Sequence, residues 1–185
     1  MHTHDKPHLG YRRIRSTLAL AAAAALVAVA VAAPAQAGNG GTGTSVTKAP
    51  RGHAKLVHGK AIPPSNAPRK VVKVIRAANQ IRNKPYRWGG GHGRWNDSGY
   101  DCSGAVSYAL HGGRLLRAPL DSSGFMHWGR RGKGRWITVY TNPGHAFMVV
   151  AGLRFDTSQT AGNGPGWSKR MVSKRGYRVR HKAHL

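Results

Sequence analysis

Cys102 is the only cysteine among 185 residues and stands in the run YDCSGAVSYAL, residues 100–110. A thiol reacts as its thiolate, by attacking an electrophilic carbon, binding a soft metal or exchanging with a disulfide. A lone cysteine excludes an intramolecular disulfide. With no glutamate and no His-Glu-x-x-His pattern, the chain has no recognisable metal motif, so neither metal nor cofactor is expected. A nucleophilic cysteine needs a base, and beyond residue 68 the candidates are His92, His111, His127, His145, His181 and His184. His181 and His184 belong to a basic tail and His92 to a glycine-rich loop, where solvated roles are expected. His145 opens the apolar run HAFMVVAG directly after an Asn-Pro-Gly turn, where its ring could face a cleft at the edge of the core. If Ala151 and Gly152 form a two-residue hairpin turn, Val150 pairs with Leu153, His145 falls opposite Ser158, and Asp156 lies diagonal on the same face. A carboxylate there would hold an imidazole in one tautomer, as the third member of a triad does. A register shift of one residue would turn Asp156 to the other face. Each residue also has an ordinary reading: a buried apolar cysteine, a structural histidine, a surface aspartate. Type and spacing alone leave these open.

The elements that must position these residues follow from periodicity. Counting from Cys102, the apolar positions 102, 105, 106, 109 and 110 form one face of a helix, with Asp101 as N-cap and Gly112-Gly113 as terminator. Cys102 then lies at the first turn, where unpaired N–H groups and the helix dipole stabilise a thiolate. The same N–H groups could hold an oxyanion, at about 2.7 to 4 kcal/mol for one donor. Val71, Val72, Ile75, Ala78 and Ile81 predict an earlier amphipathic helix from Arg69, stopped by NKPY. The intervening loop RWGGGHGRWNDSGY has neither the Gly-Lys-Ser/Thr ending of a P-loop nor a dinucleotide fingerprint. After a loop over 117–134, RWITVY, HAFMVVAG and LRFDTS read as an antiparallel meander, with an edge strand near Tyr177–Val179. Helices followed by strands predict an α+β domain.

Arg12, Arg13 and Arg15 precede an apolar stretch from Leu18 to Ala33 that ends in APAQAG, which reads as a secretory signal over residues 1–37. About 16 apolar residues fall short of the roughly 20 that span a bilayer, so no membrane span is expected after its removal. Residues 38–68, rich in Gly, Thr, Ser and Pro, read as a flexible linker, and 69–185 as one domain with a basic tail. Beyond residue 37 there are 26 basic and 4 acidic side chains, a charge that favours polyanionic partners.

NKPYRWGGG, YDCSGAVSYAL and NPGHAFMVV together resemble the NlpC-type cysteine peptidases, bacterial endopeptidases of peptidoglycan stem peptides. The resemblance runs from about Val71 to Ser158. It implies a papain-like α+β domain with the cysteine at the start of a helix packed on an antiparallel sheet. Cys102 matches the nucleophile, His145 the base, and Asp156 the third polar residue. Tyr86 matches the tyrosine beside the nucleophile, Asp101 and Ser103 its flanks, and Trp88 belongs to the same cleft motif. The chain departs from the pattern in carrying an acid at the third position and WITVYTNPG before His145. Relatives include amidases and acyltransferases. The expectation is a secreted, monomeric cysteine endopeptidase of the cell wall, with peptidoglycan stem peptides and anionic wall polymers as partners and no obligate nucleic acid. The competing expectation is a catalytically silent secreted polycation that binds wall polymers or nucleic acid, with Trp88, Trp95, Trp128 and Trp136 available for stacking.

Overall fold

The computed structural model describes residues 52–158 and 164–185; the expected signal segment and residues 38–51 of the expected linker lie outside them. In chain order the elements are β1 (Lys55–Val57), β2 (Lys60–Ile62), α1 (Arg69–Ile81), α2 (Cys102–Gly112), α3 (Ser122–Phe125), β3 (Arg130–Arg131), β4 (Ile137–Asn142), β5 (His145–Val150), β6 (Leu153–Asp156), β7 (Gly166–Ser168) and β8 (Arg178–His181). Apart from the β1–β2 hairpin, the strands form one six-stranded sheet, ordered β3-β8-β4-β5-β6-β7 and antiparallel throughout. The class is α+β, as expected.

Both long helices sit where their apolar periods place them. On α1 the buried stripe is Val71, Val74, Ile75, Ala77, Ala78 and Ile81, with Val74 inward in place of the expected Val72. Helix α2 is buried along most of its length and packs on both α1 and β5. Small residues permit this: a Cβ on Gly112 would stand 2.4 Å from the Cβ of Ala77, so the two helices touch nearly backbone to backbone. Val106 and Leu110 of α2, Ile75 of α1 and Val139, Met148, Val150 and Phe155 of the sheet close the core. Each such side chain stabilises the fold by roughly 1.5 to 3 kcal/mol on burial.

The β5–β6 turn is the expected two-residue hairpin. Ala151 and Gly152 have φ of 45° and 85°, and Val150 faces Leu153. Two expectations need correction. Residues 55–62, assigned to the flexible linker, form a hairpin instead. His58 and Gly59 turn it with positive φ, and Asn79 of α1 clamps Ala61 by accepting from its N–H at 3.0 Å and donating to its carbonyl at 2.9 Å. Asn79 also accepts from the indole N–H of Trp167 at 2.9 Å. The hairpin is held by these polar bonds to α1 and by a few apolar residues, Ala61 and Leu56 among them, so a composition argument misses it. The second correction concerns the tail. Its strand is interior, inserted between β3 and β4, and on it Arg180 turns inward and donates to the Met126 carbonyl.

Candidate active site

Asp101 builds the site from the front. Its backbone is extended and its Oδ1 accepts from the Gly104 N–H at 2.7 Å, so it caps α2 as its position predicts. The same oxygen accepts from Ser103 Oγ at 3.1 Å and meets His92 Nε2 at 3.0 Å, while Oδ2 accepts from the Gly89 N–H at 3.1 Å. One carboxylate therefore ties the glycine-rich loop to the first turn of α2. The loop lies so close that a Cβ on Gly104 would stand 2.0 Å from the Gly90 carbonyl oxygen. His92, expected to be a solvated loop residue, is half-buried and joins this cluster, bonding Ser103 Oγ at 3.2 Å.

Cys102 opens α2 and is 9 % exposed, its sulfur 3.7 Å from Ser122 Oγ at the start of α3. His145 opens β5, its own N–H held by Asn142 Oδ1 at 2.8 Å. Its Nε2 meets Asp156 Oδ1 at 2.9 Å, and its ring is near enough to the Cys102 thiol for the two groups to shift each other's titration. Asp156 is 3 % exposed and is held from behind by Ser158, whose hydroxyl donates at 2.9 Å and whose N–H donates at 3.2 Å. Phe147 and Tyr177 wall the ring of His145 on the sheet face away from α2.

The electrostatics follow from these contacts. Burial alone would raise the Cys102 thiol, but hydrogen bonds from His145, the Ala146 N–H and Ser122, with the charge on His145, bring it below its usual value. Burial alone would lower His145; the bond and charge of Asp156 and the contact with Cys102 outweigh it and push the imidazole up to about 9. Asp156 likewise overcomes its burial through His145 and Ser158 and lies below the usual carboxylate range. Both shifts favour the charged forms, a thiolate on Cys102 and an imidazolium on His145.

The remaining expected residues line one cleft of about 320 Å³: Tyr86, Trp88, Asp101 and Ser103, with Cys102 at its floor. Tyr86 is 39 % exposed and Trp88 90 %, while Ser103 is buried. Sequence reasoning missed Ser122 and Asp121, which form the opposite wall, and Arg154. Arg154 is fully buried, its Nε lies 3.7 Å from Asp156 Oδ2, and none of its side-chain nitrogens has a hydrogen-bond partner. Asp121 was legible in principle, since Asp-Ser-Ser-Gly is an N-cap pattern, and its carboxylate accepts from the Gly124 N–H. Nothing in the sequence marks Arg154 apart from the other arginines. Among the described residues no three His, Cys, Asp or Glu side chains cluster as a metal site requires, and no helix is long and apolar enough to cross a membrane.

No protein-family model and no curated protein matches the chain. Among solved structures it is similar to the peptidoglycan hydrolase RipB of Mycobacterium tuberculosis, with 29% identity over 65% of this chain and 68% of that one and a TM-score of 0.48. It is also similar to the P60 domain of an M. avium subspecies paratuberculosis antigen, with 24% identity over 60% of this chain and 93% of that one and a TM-score of 0.47. A third is RipD of M. tuberculosis, described as a non-catalytic NlpC/p60 domain protein adapted to peptidoglycan binding, with 21% identity over 62% and 98% and a TM-score of 0.46. The solved structures that this chain is similar to are NlpC/p60 domain proteins, the family that its Tyr86–Gly90 and Asp101–Gly104 motifs resemble.

Proposed function

We propose that the protein is a secreted cysteine endopeptidase of the NlpC/p60 type that hydrolyses peptide bonds in peptidoglycan stem peptides. The observation that carries this reading is the contact of Cys102 and Asp156 with one imidazole, His145, with the thiol lowered and the imidazole raised to about 9. A buried structural cysteine has no need of either shift.

In the proposed mechanism the Cys102 thiolate attacks the scissile carbonyl carbon and a C–S bond forms. The carbonyl electrons move to oxygen, and the N–H groups at the open first turn of α2 stabilise the oxyanion. The tetrahedral intermediate collapses, the C–N bond breaks, and His145 gives its proton to the leaving amine. Neutral His145 then takes a proton from water, which attacks the thioester and releases the acid and the thiolate. Asp156 acts throughout by holding the His145 tautomer and favouring its imidazolium form. Trp88 and Tyr86 would lie along the bound peptide at the cleft rim. Export by the segment 1–37 belongs to the same proposal, as does retention on anionic wall polymers by the chain's charge.

The test is digestion of purified sacculi with the protein and with Cys102→Ala. New amino termini in mass spectra from the first and not the second are expected. Equal release, or none from either, refutes the reading. Salt-sensitive binding that Cys102→Ala leaves intact, with no cleavage, would instead establish a silent polycation.

A further inference from the structure

Strands β3 and β8 place Arg131 directly opposite Arg180, and Arg178 lies two residues from Arg180 on the same face. With Gly132 and Val179 these three arginines line one groove of about 420 Å³. Like charges opposite each other destabilise an antiparallel pair. No described carboxylate relieves this one: none pairs with Arg131, Arg178 or Arg180. Arg180 is 8 % exposed, and its Nε is buried with no hydrogen-bond partner. Arg131 and Arg178 are exposed. Three unneutralised guanidiniums around one concavity are unfavourable in the free protein and match an anion with several oxygens, which a guanidinium holds through two parallel N–H bonds. No aromatic side chain lines the groove, so it offers nothing on which a base would stack.

A short chain of contacts links the groove to the cleft. Arg178 pairs with Thr141 across β8 and β4, the Thr141 hydroxyl donates to the Ser122 carbonyl, and Ser122 lines the cleft above Cys102.

We infer that this groove is a docking site for a linear phosphodiester polymer of the poly(glycerol phosphate) type, with successive phosphates held by the exposed Arg131 and Arg178 and the charge of the buried Arg180 behind them. Docking there is independent of whether Cys102 is a nucleophile. A polymer held in the groove keeps whatever it is attached to at high effective concentration beside the cleft.

The test is fluorescence anisotropy of labelled poly(glycerol phosphate) with the full-length protein, compared with Arg131→Gln/Arg178→Gln and with Lys55→Gln/Lys60→Gln. The lysine pair is exposed on the β1–β2 hairpin and removes the same charge. The arginine variant is expected to lose at least about tenfold in affinity, with a shallower salt dependence, against less than about twofold for the lysine variant. Equal losses in both would mean that net charge alone binds the polymer and would overturn the assignment. Unlabelled single-stranded DNA displacing the probe at lower phosphate concentration than the unlabelled polymer would also overturn it, in favour of nucleic acid. Both arginines are exposed, so thermal midpoints are expected to match the parent. If the double variant melts lower, Arg178→Gln alone serves, with a loss of about threefold or more expected and no loss refuting the site.

Discussion

Asp156→Asn keeps the shape of the side chain behind His145 and removes its charge. His145 stands at about 9 instead of 6.5, which corresponds to roughly 3.4 kcal/mol in favour of the imidazolium. That is the net of an opposing burial effect and four favourable ones: two from Asp156, its 2.9 Å bond and its charge, and two from Cys102. The bond to Asp156 is the largest favourable contribution. An asparagine there therefore forfeits at least half of the rise, about 1.7 kcal/mol, and lowers the His145 midpoint by at least about one pH unit. The working range of the thiolate–imidazolium pair narrows from its alkaline end, because the proton needed by the leaving amine is lost at lower pH. NMR titration of the His145 ring in parent and variant reads the midpoint directly, and the alkaline limb of kcat/KM on a stem-peptide substrate reads its consequence. At pH 8 about nine-tenths of the parent and about half or less of the variant carries the imidazolium, so the variant is expected to be at least about twofold slower. A midpoint within about 0.3 pH units of the parent, in a variant with the parent's thermal midpoint, would refute the claim that Asp156 holds the charge of His145.

The same pair sets a pH dependence of stability. His145 is raised in the folded state, so its contribution is full below about pH 6.5 and is lost as pH rises through about 9; urea unfolding of the parent against His145→Gln should show a difference of up to roughly 3 kcal/mol disappearing over that window. Asn79→Ala removes two bonds to Ala61 and one to Trp167, and is expected to cost about 2 to 4 kcal/mol in denaturant melts. Trp88→Ala takes away a side chain that is 90 % exposed, so its thermal midpoint should barely move while KM for stem peptides rises several-fold; an unchanged KM would remove Trp88 from the substrate cleft.

Much of the fold could be read from period and punctuation. The i, i+3, i+4 spacing from Cys102 located α2 to the residue, and Ala151-Gly152 set the register that brings Asp156 to His145. Both are local features, because a cap or a two-residue turn acts within a few positions. What was not legible is carried by long-range polar bonds. Asn79 holds the hairpin 18 residues before it and Trp167 far after it, and no local pattern in Asn79 announces either partner. The interior placement of β8 is of the same kind, since Arg180 on it reaches a carbonyl 54 residues away. Arg154 is hidden for a different reason. Strand alternation puts it on the face of Asp156, but only the tertiary cover over that face turns an ordinary arginine into a buried one.

The acidic residues show how composition itself could have been read further. Beyond residue 37 the chain has four carboxylates against 26 cations, and a protein that needed acids for solubility would scatter them. Here each is bound to backbone or to a working side chain. Asp101 caps α2 and gathers the Gly89 N–H, Ser103 and His92, and Asp121 caps α3. Asp97 accepts from the Gly91 N–H at 3.1 Å and the Ser98 N–H at 2.7 Å within the glycine-rich loop, and Asp156 holds His145. Asp101 and Asp121 line the cleft, Asp156 lies behind the histidine, and Asp97 shapes the loop that Asp101 anchors. In a chain where cations are the default, a carboxylate marks a place where a fixed acceptor is required. Those places converge on Cys102. The arginine groove is the converse case: among the described residues, no carboxylate lines it.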